Sequence, residues 1–158
     1  GRIVLDGREI AGLGSEDRRA LWGRSMSLLP QEPWTALDPL MPAEEQVAEV
    51  HALVRGRPWN ESRSLARAAL QKLGLAGAER RLPFRLSGGM AQRVALAATE
   101  AGGARILIAD EPTKGLDADR RDEVAGLLKG QAAGGASVVV ITHDVALART
   151  LGGQAIIM

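Results

Sequence analysis

Ile106-Leu107-Ile108-Ala109-Asp110-Glu111-Pro112 is an apolar run that stops on two adjacent carboxylates and a proline. A short uninterrupted apolar segment of this kind suits a strand buried on both faces of a parallel sheet. A second such run, Val138-Val139-Val140-Ile141, lies within Ser137 to Thr142. Between them, Asp119 to Ala133 reads as an amphipathic helix that buries Val124, Leu127 and Leu128. Strand, helix and strand in this order predict an α/β core with parallel strands.

Working outward, Ser25 to Leu29 is a third candidate strand, closed by Pro30. Arg2 to Ile10 reads as a β-hairpin about the Asp6-Gly7 turn, and a short helix is expected from Ser15. Gln31 to Pro42 carries three prolines and reads as a loop. Helical spacing then takes over. Ala43 to Val54 places Val47, Val50 and Val54 together, and Ser62 to Leu73 does the same for Leu65, Ala69, Leu70 and Leu73, with Gly74 as the stop. A basic connector, Arg80 to Arg85, leads to a third helix from about Gly89 to Glu100, ended by Gly102-Gly103. The expected division is an N-terminal core portion over 1–41, a helical insert over 42–86 that continues into a helix over 87–101, and a second core portion over 102–158. The chain starts without methionine, and both ends, including Gln154 to Met158, read as strands. The expectation is a piece of a longer chain.

In sheets of this type ligands sit beyond the carboxyl ends of the strands. Asp110 is placed to help hold magnesium, and Glu111 to polarise an attacking water. Taken alone, the pair also fits a solvated turn. His143, after the second apolar run, could touch a phosphate or orient a water, while alone a histidine there is more often a surface or capping residue. Leu86-Ser87-Gly88-Gly89-Met90-Ala91-Gln92-Arg93 sets a serine and two glycines before a helix. Free N–H groups at a helix start attract anions, while Ser87 alone would serve as an N-cap.

Together these segments resemble the ATP-hydrolysing domain of ATP-binding cassette (ABC) transporters. Leu86 to Arg93 resembles the signature motif, Ile106 to Glu111 the Walker B strand, Gly115-Leu116-Asp117 the D-loop, His143 the switch histidine and Gln31 the Q-loop glutamine. The resemblance implies a RecA-like, P-loop NTPase-type parallel sheet with an all-helical subdomain. It implies ATP and Mg2+ as ligands, with Asp110 and Gln31 on the metal and Glu111 as general base. His143 would contact the γ-phosphate. Ser87, Gly88 and Gly89, with Gln92 nearby and Asp117 across the same interface, would clasp ATP held by a second cassette subunit. The partners implied are that subunit, membrane permease subunits and, indirectly, a substrate-binding protein, at the cytoplasmic face of the inner membrane. The stretch Gln31 to Met41 is similar to the Q-loop region of oligopeptide and nickel importers. Trp34 within it is a candidate for docking a membrane subunit, or else packs within its own domain. Trp22 and Trp59 are expected to pack internally, and His51 to be structural or solvent-exposed.

No G-x-x-x-x-G-K-[ST] phosphate loop occurs in the 158 residues. The alternatives are a soluble, non-transport ABC ATPase and a non-catalytic cassette module. Composition limits the rest. The chain is 46% hydrophobic and 25% charged with a net charge of +1, so bulk charge gives no reason to expect nucleic acid as a partner. Without cysteine it forms no disulfide and no thiolate metal site.

Overall fold

The computed structural model describes residues 1–157. The element order is β1 (Val4–Leu5), β2 (Arg8–Glu9), α1 (Ser15–Leu21), β3 (Met26–Leu29), α2 (Pro33–Ala36), α3 (Ala43–Leu53), α4 (Trp59–Lys72), α5 (Gly88–Ala101), β4 (Ile106–Asp110), α6 (Ala118–Ala133), β5 (Ser137–Ile141) and α7 (Val145–Leu151). No helix among the described residues is long and apolar enough to cross a membrane.

The hairpin forms as expected. Asp6 and Gly7 both have positive φ, 49° and 80°, which matches a turn whose twist suits the strands. The core sheet has three parallel strands in the order β3-β4-β5, paired Leu28 to Ile108 and Ile108 to Val139. Successive strands step the same way across the sheet, so right-handed crossovers put the intervening helices on one face. Burial follows this. Leu29, Leu107 and Ala109 are buried beneath α5 and α6.

The opposite face departs from the sequence reading. Leu28, Val139 and Ile141 are 45%, 49% and 49% exposed, so the strands are not buried on both faces. An apolar run records what a strand tolerates and not which face the rest of the described chain covers. The expected strand at Gln154 to Met158 also differs. Residues 154–157 join no strand, and Met158 lies outside the described residues.

The helical elements pack as a unit, with α3 against α4 and both against α5. Val47, Ala66, Leu70, Ala91 and Val94 are fully buried at this junction. α4 starts at Trp59, three residues before the expected Ser62, behind the N-cap Pro58. Proline fixes the φ required there, a signal that apolar periodicity does not register. α4 ends in a Schellman motif. Gly74, at φ 71°, donates its N–H to the Gln71 carbonyl at 2.9 Å, and Leu75 donates to the Leu70 carbonyl at 2.9 Å. The Gln31 to Pro42 loop contains the single turn α2, with Pro33 at its first position. α7 has no counterpart in the sequence reading, although Asp144 caps it through the Ala146 and Leu147 N–H groups at 2.9 and 3.1 Å.

Candidate nucleotide site

Because the three core strands are parallel, their carboxyl ends meet at one edge of the sheet. Gln31 follows β3 by two residues, Asp110 ends β4, and His143 follows β5 by two. Asp110 is exposed. Its carboxylate and the Gln31 amide have no side-chain partner among the described residues, so both offer free hard oxygens. That donor set fits Mg2+, which binds through one or two carboxylates and retains water or phosphate as its other ligands.

Glu111 is held in an unusual way. Its φ is 44°, in the left-handed region that a residue with a β-carbon seldom adopts. Its N–H donates to the Ile141 carbonyl at 2.8 Å, which carries the strand pairing one residue past β4. The side chain turns toward the end of β5. Oε1 accepts from the His143 N–H at 3.0 Å and lies 2.7 Å from His143 Nδ1. Oε2 accepts from the Thr142 hydroxyl at 3.2 Å. The His143 hydrogen bonds, and the Thr142 bond to a lesser extent, hold the Glu111 carboxyl below its ordinary range despite some desolvation. A carboxylate facing Nδ1 favours a proton on that nitrogen and fixes the orientation of the ring. The His143 side chain is 77% exposed, so it is accessible to a ligand.

Asp144 went unassigned in the sequence reading, and here it ties the two loops together. Besides capping α7, its Oδ2 accepts from the Thr113 hydroxyl at 3.3 Å and lies 2.8 Å from Arg121 Nε on α6. The Leu147 N–H first, and then the Arg121 charge, lower its pKa. A carboxylate lowered in the folded state stabilises above its ordinary pKa, and that contribution is lost as pH falls through the lower folded value. Asp144→Asn keeps a capping oxygen and removes the charge. It is expected to lower the melting temperature at neutral pH and to match the parent in strong acid, as thermal melts across pH would show.

The segment Leu86 to Arg93 forms the start of α5. Ser87 is the N-cap, and its hydroxyl accepts from the Met90 N–H at 3.3 Å. The cap and anion-site readings are therefore compatible, because capping uses the third N–H and leaves those of Gly88 and Gly89 unpaired within the helix. A β-carbon built on either glycine meets nothing within 4 Å. Their own chain therefore does not require glycine, and the space in front of them is open to a ligand from outside. Gln92 is 6% exposed, on the inward side of α5, and its Nε2 has no partner among the described residues. Asp117 caps α6 by accepting from the Arg120 N–H at 2.9 Å, and its side chain remains mostly exposed. Trp22, Trp34 and Trp59 are each a little under half exposed, so exposure alone does not single out Trp34, and Trp22 and Trp59 are less buried than expected. His51 is partly buried, and burial followed by Arg57 and Arg55 lowers its pKa.

The parallel sheet with carboxylates at the carboxyl ends of its strands, beside a helical unit, has the P-loop NTPase-type fold of the ATP-binding cassettes on which it superposes. The family profile described as "ABC transporter" matches residues 1–114, and the chain belongs to that family. It is 33% identical to the oligopeptide transport ATP-binding protein AppD of Bacillus subtilis, over the whole of this chain and 49% of that protein. It is 40% identical to the macrolide export ATP-binding/permease protein MacB 1/2 of Paracoccus denitrificans, over 91% of this chain and 21% of that protein. The structure superposes with a TM-score of 0.83 and 30% identity on the dimeric post-hydrolysis state of the ATP-binding cassette MJ0796 bound to ADP and Pi, covering 95% of this chain and 66% of that one. The chain thus spans about half or less of the length of these two curated relatives.

Proposed function

We propose that the protein is the ATP-hydrolysing subunit of an ABC importer for peptides or a similar small solute, working as a pair of cassettes beside membrane permease subunits. The observation that carries this reading is the Glu111–His143 pair at the same sheet edge as Asp110 and Gln31. AppD, named for oligopeptide transport, supports peptides as the solute class, and the Gln31 to Met41 stretch supports the importer branch. That segment forms α2 and the turn leading to α3, with Trp34 partly exposed on it.

Asp110 and Gln31 would hold Mg2+, which when bound neutralises charge on the phosphates. Glu111, ionised by its hydrogen bonds, accepts a proton from the attacking water. His143, oriented by Glu111 through Nδ1, presents Nε2 to the terminal phosphate. The Gly88 and Gly89 N–H groups, at the positive end of α5, face a phosphate held by the partner cassette. Asp117 would work across the same interface between cassettes. Catalysis of this kind rests on positioning and charge stabilisation.

The 158 residues contain no phosphate loop, and alone they are expected to turn over no ATP. Paired with a second cassette that carries such a loop, the protein is expected to support hydrolysis in trans. Gly89→Ala provides the test. Alanine is up to about 1 kcal/mol more favourable than glycine in a helix, and the site has room for a methyl group, so the melting temperature is expected to hold or rise. Hydrolysis by the pair is expected to fall, because the new methyl group blocks phosphate approach. A stable Gly89→Ala variant with undiminished paired turnover would sink the reading of α5.

A further inference from the structure

The basic connector that the nucleotide site leaves unused forms a surface hollow of about 260 Å3, lined by Gly77, Arg80, Arg81, Leu82, Phe84 and Arg85. Phe84 is 69% exposed, and the Arg85 guanidinium lies 5.8 Å from the centre of its ring. Arg80 reaches toward Glu44, at 3.8 Å, but Glu44 is already paired with Arg67 at 2.6 Å. Arg81 and Arg85 are exposed and have no carboxylate partner among the described residues. The backbone beneath is fixed. The Ala43 N–H donates to the Arg81 carbonyl at 3.0 Å, and the Glu44 N–H to the Glu79 carbonyl at 2.8 Å.

We propose that this hollow is a docking site for an acidic segment of a partner protein, with carboxylates on Arg81 and Arg85 and an apolar side chain against Phe84. Arginine and aromatic residues are the types enriched where protein interfaces form, and a rigid frame lowers the ordering cost of binding. Guanidinium forks match carboxylates in two-point contact. A small free anion fits less well, because it would leave the 69% exposed Phe84 ring uncovered, whereas a peptide side chain covers it. A bilayer fits less well too, since a concave hollow ringed by arginine receives a side chain and does not lie against a flat surface. The proposal is independent of nucleotide turnover.

The probe is a fluorescein-labelled peptide of alternating Glu and Leu with a central Phe, titrated with the 158-residue chain and followed by anisotropy. Binding is expected to weaken as salt rises. Phe84→Ala and the double variant Arg81→Glu with Arg85→Glu are each expected to weaken it by roughly tenfold or more. All three positions are exposed, so circular dichroism of the variants should match the parent. The charge-reversed variant should in turn prefer the same peptide with Lys in place of Glu. Absence of peptide binding, or binding indifferent to these substitutions, would overturn the proposal. So would arginine-dependent capture by phosphatidylglycerol vesicles or inorganic phosphate with no binding of the peptide.

Discussion

Placed in a chain that also carries a phosphate loop, so that the site Glu111 serves can hold ATP, Glu111→Gln is expected to lower ATP turnover by the paired cassettes by roughly 10²–10⁴-fold, the range associated with a positioned general base. The substitution is informative because it changes little else. Glutamine retains one carbonyl oxygen to accept from the His143 N–H, which holds Glu111 Oε1 at 3.0 Å, and its NH2 group can donate to the Thr142 hydroxyl oxygen, 3.2 Å from Oε2. The left-handed backbone at this position is also kept. What disappears is the negative charge, and with it both the proton acceptor and the partner that orders Nδ1 of His143. Nucleotide-dependent pairing of cassettes should survive, because the α5 start that faces the partner is untouched. Steady-state phosphate release, measured beside pairing by size-exclusion chromatography with ATP, separates the two effects. A variant that retains turnover would remove Glu111 from the chemistry and leave it a structural link between β4 and β5.

Gly102→Ala is expected to cost about 2–3 kcal/mol, near the upper end for an overpacked site. Backbone conformation is not the cause, since Gly102 has an ordinary helical φ of −67°. The cause is contact. A β-carbon there would lie 2.2 Å from the Gly23 carbonyl oxygen, in the turn that precedes β3. That turn has little room to retreat, because Gly23 sits at φ 74° and a β-carbon on it would already be 3.1 Å from Val54. The end of α5, the end of α3 and the entry to β3 therefore close on one another through glycine. The melting temperature should fall by roughly 4–12 °C. Gly126→Ala is the matching control. It lies inside α6 with nothing within 4 Å, and alanine there is expected to stabilise by up to about 1 kcal/mol. If both substitutions proved neutral, the close approach of these segments would be wrong.

Much of the fold could be read from local pattern because the relevant forces are local. Two apolar runs around an amphipathic helix predict β4, α6 and β5 directly, and Asp6-Gly7 predicts its hairpin through a turn that demands positive φ. Signals carried by single residues were harder to use. Pro58 moves the start of α4 to Trp59, and Asp144 caps α7, yet neither adds to an apolar repeat. The site shows the same division. Asp110, Glu111, His143 and Ser87 could be named from their places at strand and helix ends. The burial of Gln92 could not, because it depends on which side of α5 faces α3 and α4.

The sequence by itself determined the family, the parallel α/β core and the strand ends and helix starts at which nucleotide chemistry is proposed, since such ends are set by neighbours along the chain. Only the tertiary structure decided which groups meet. It showed Glu111 committed to His143, Asp144 joining Thr113 and Arg121, and one face of the sheet left exposed among the described residues. These contacts join residues tens of positions apart, and their geometry follows from strand register and helix packing, which no local stretch of sequence encodes.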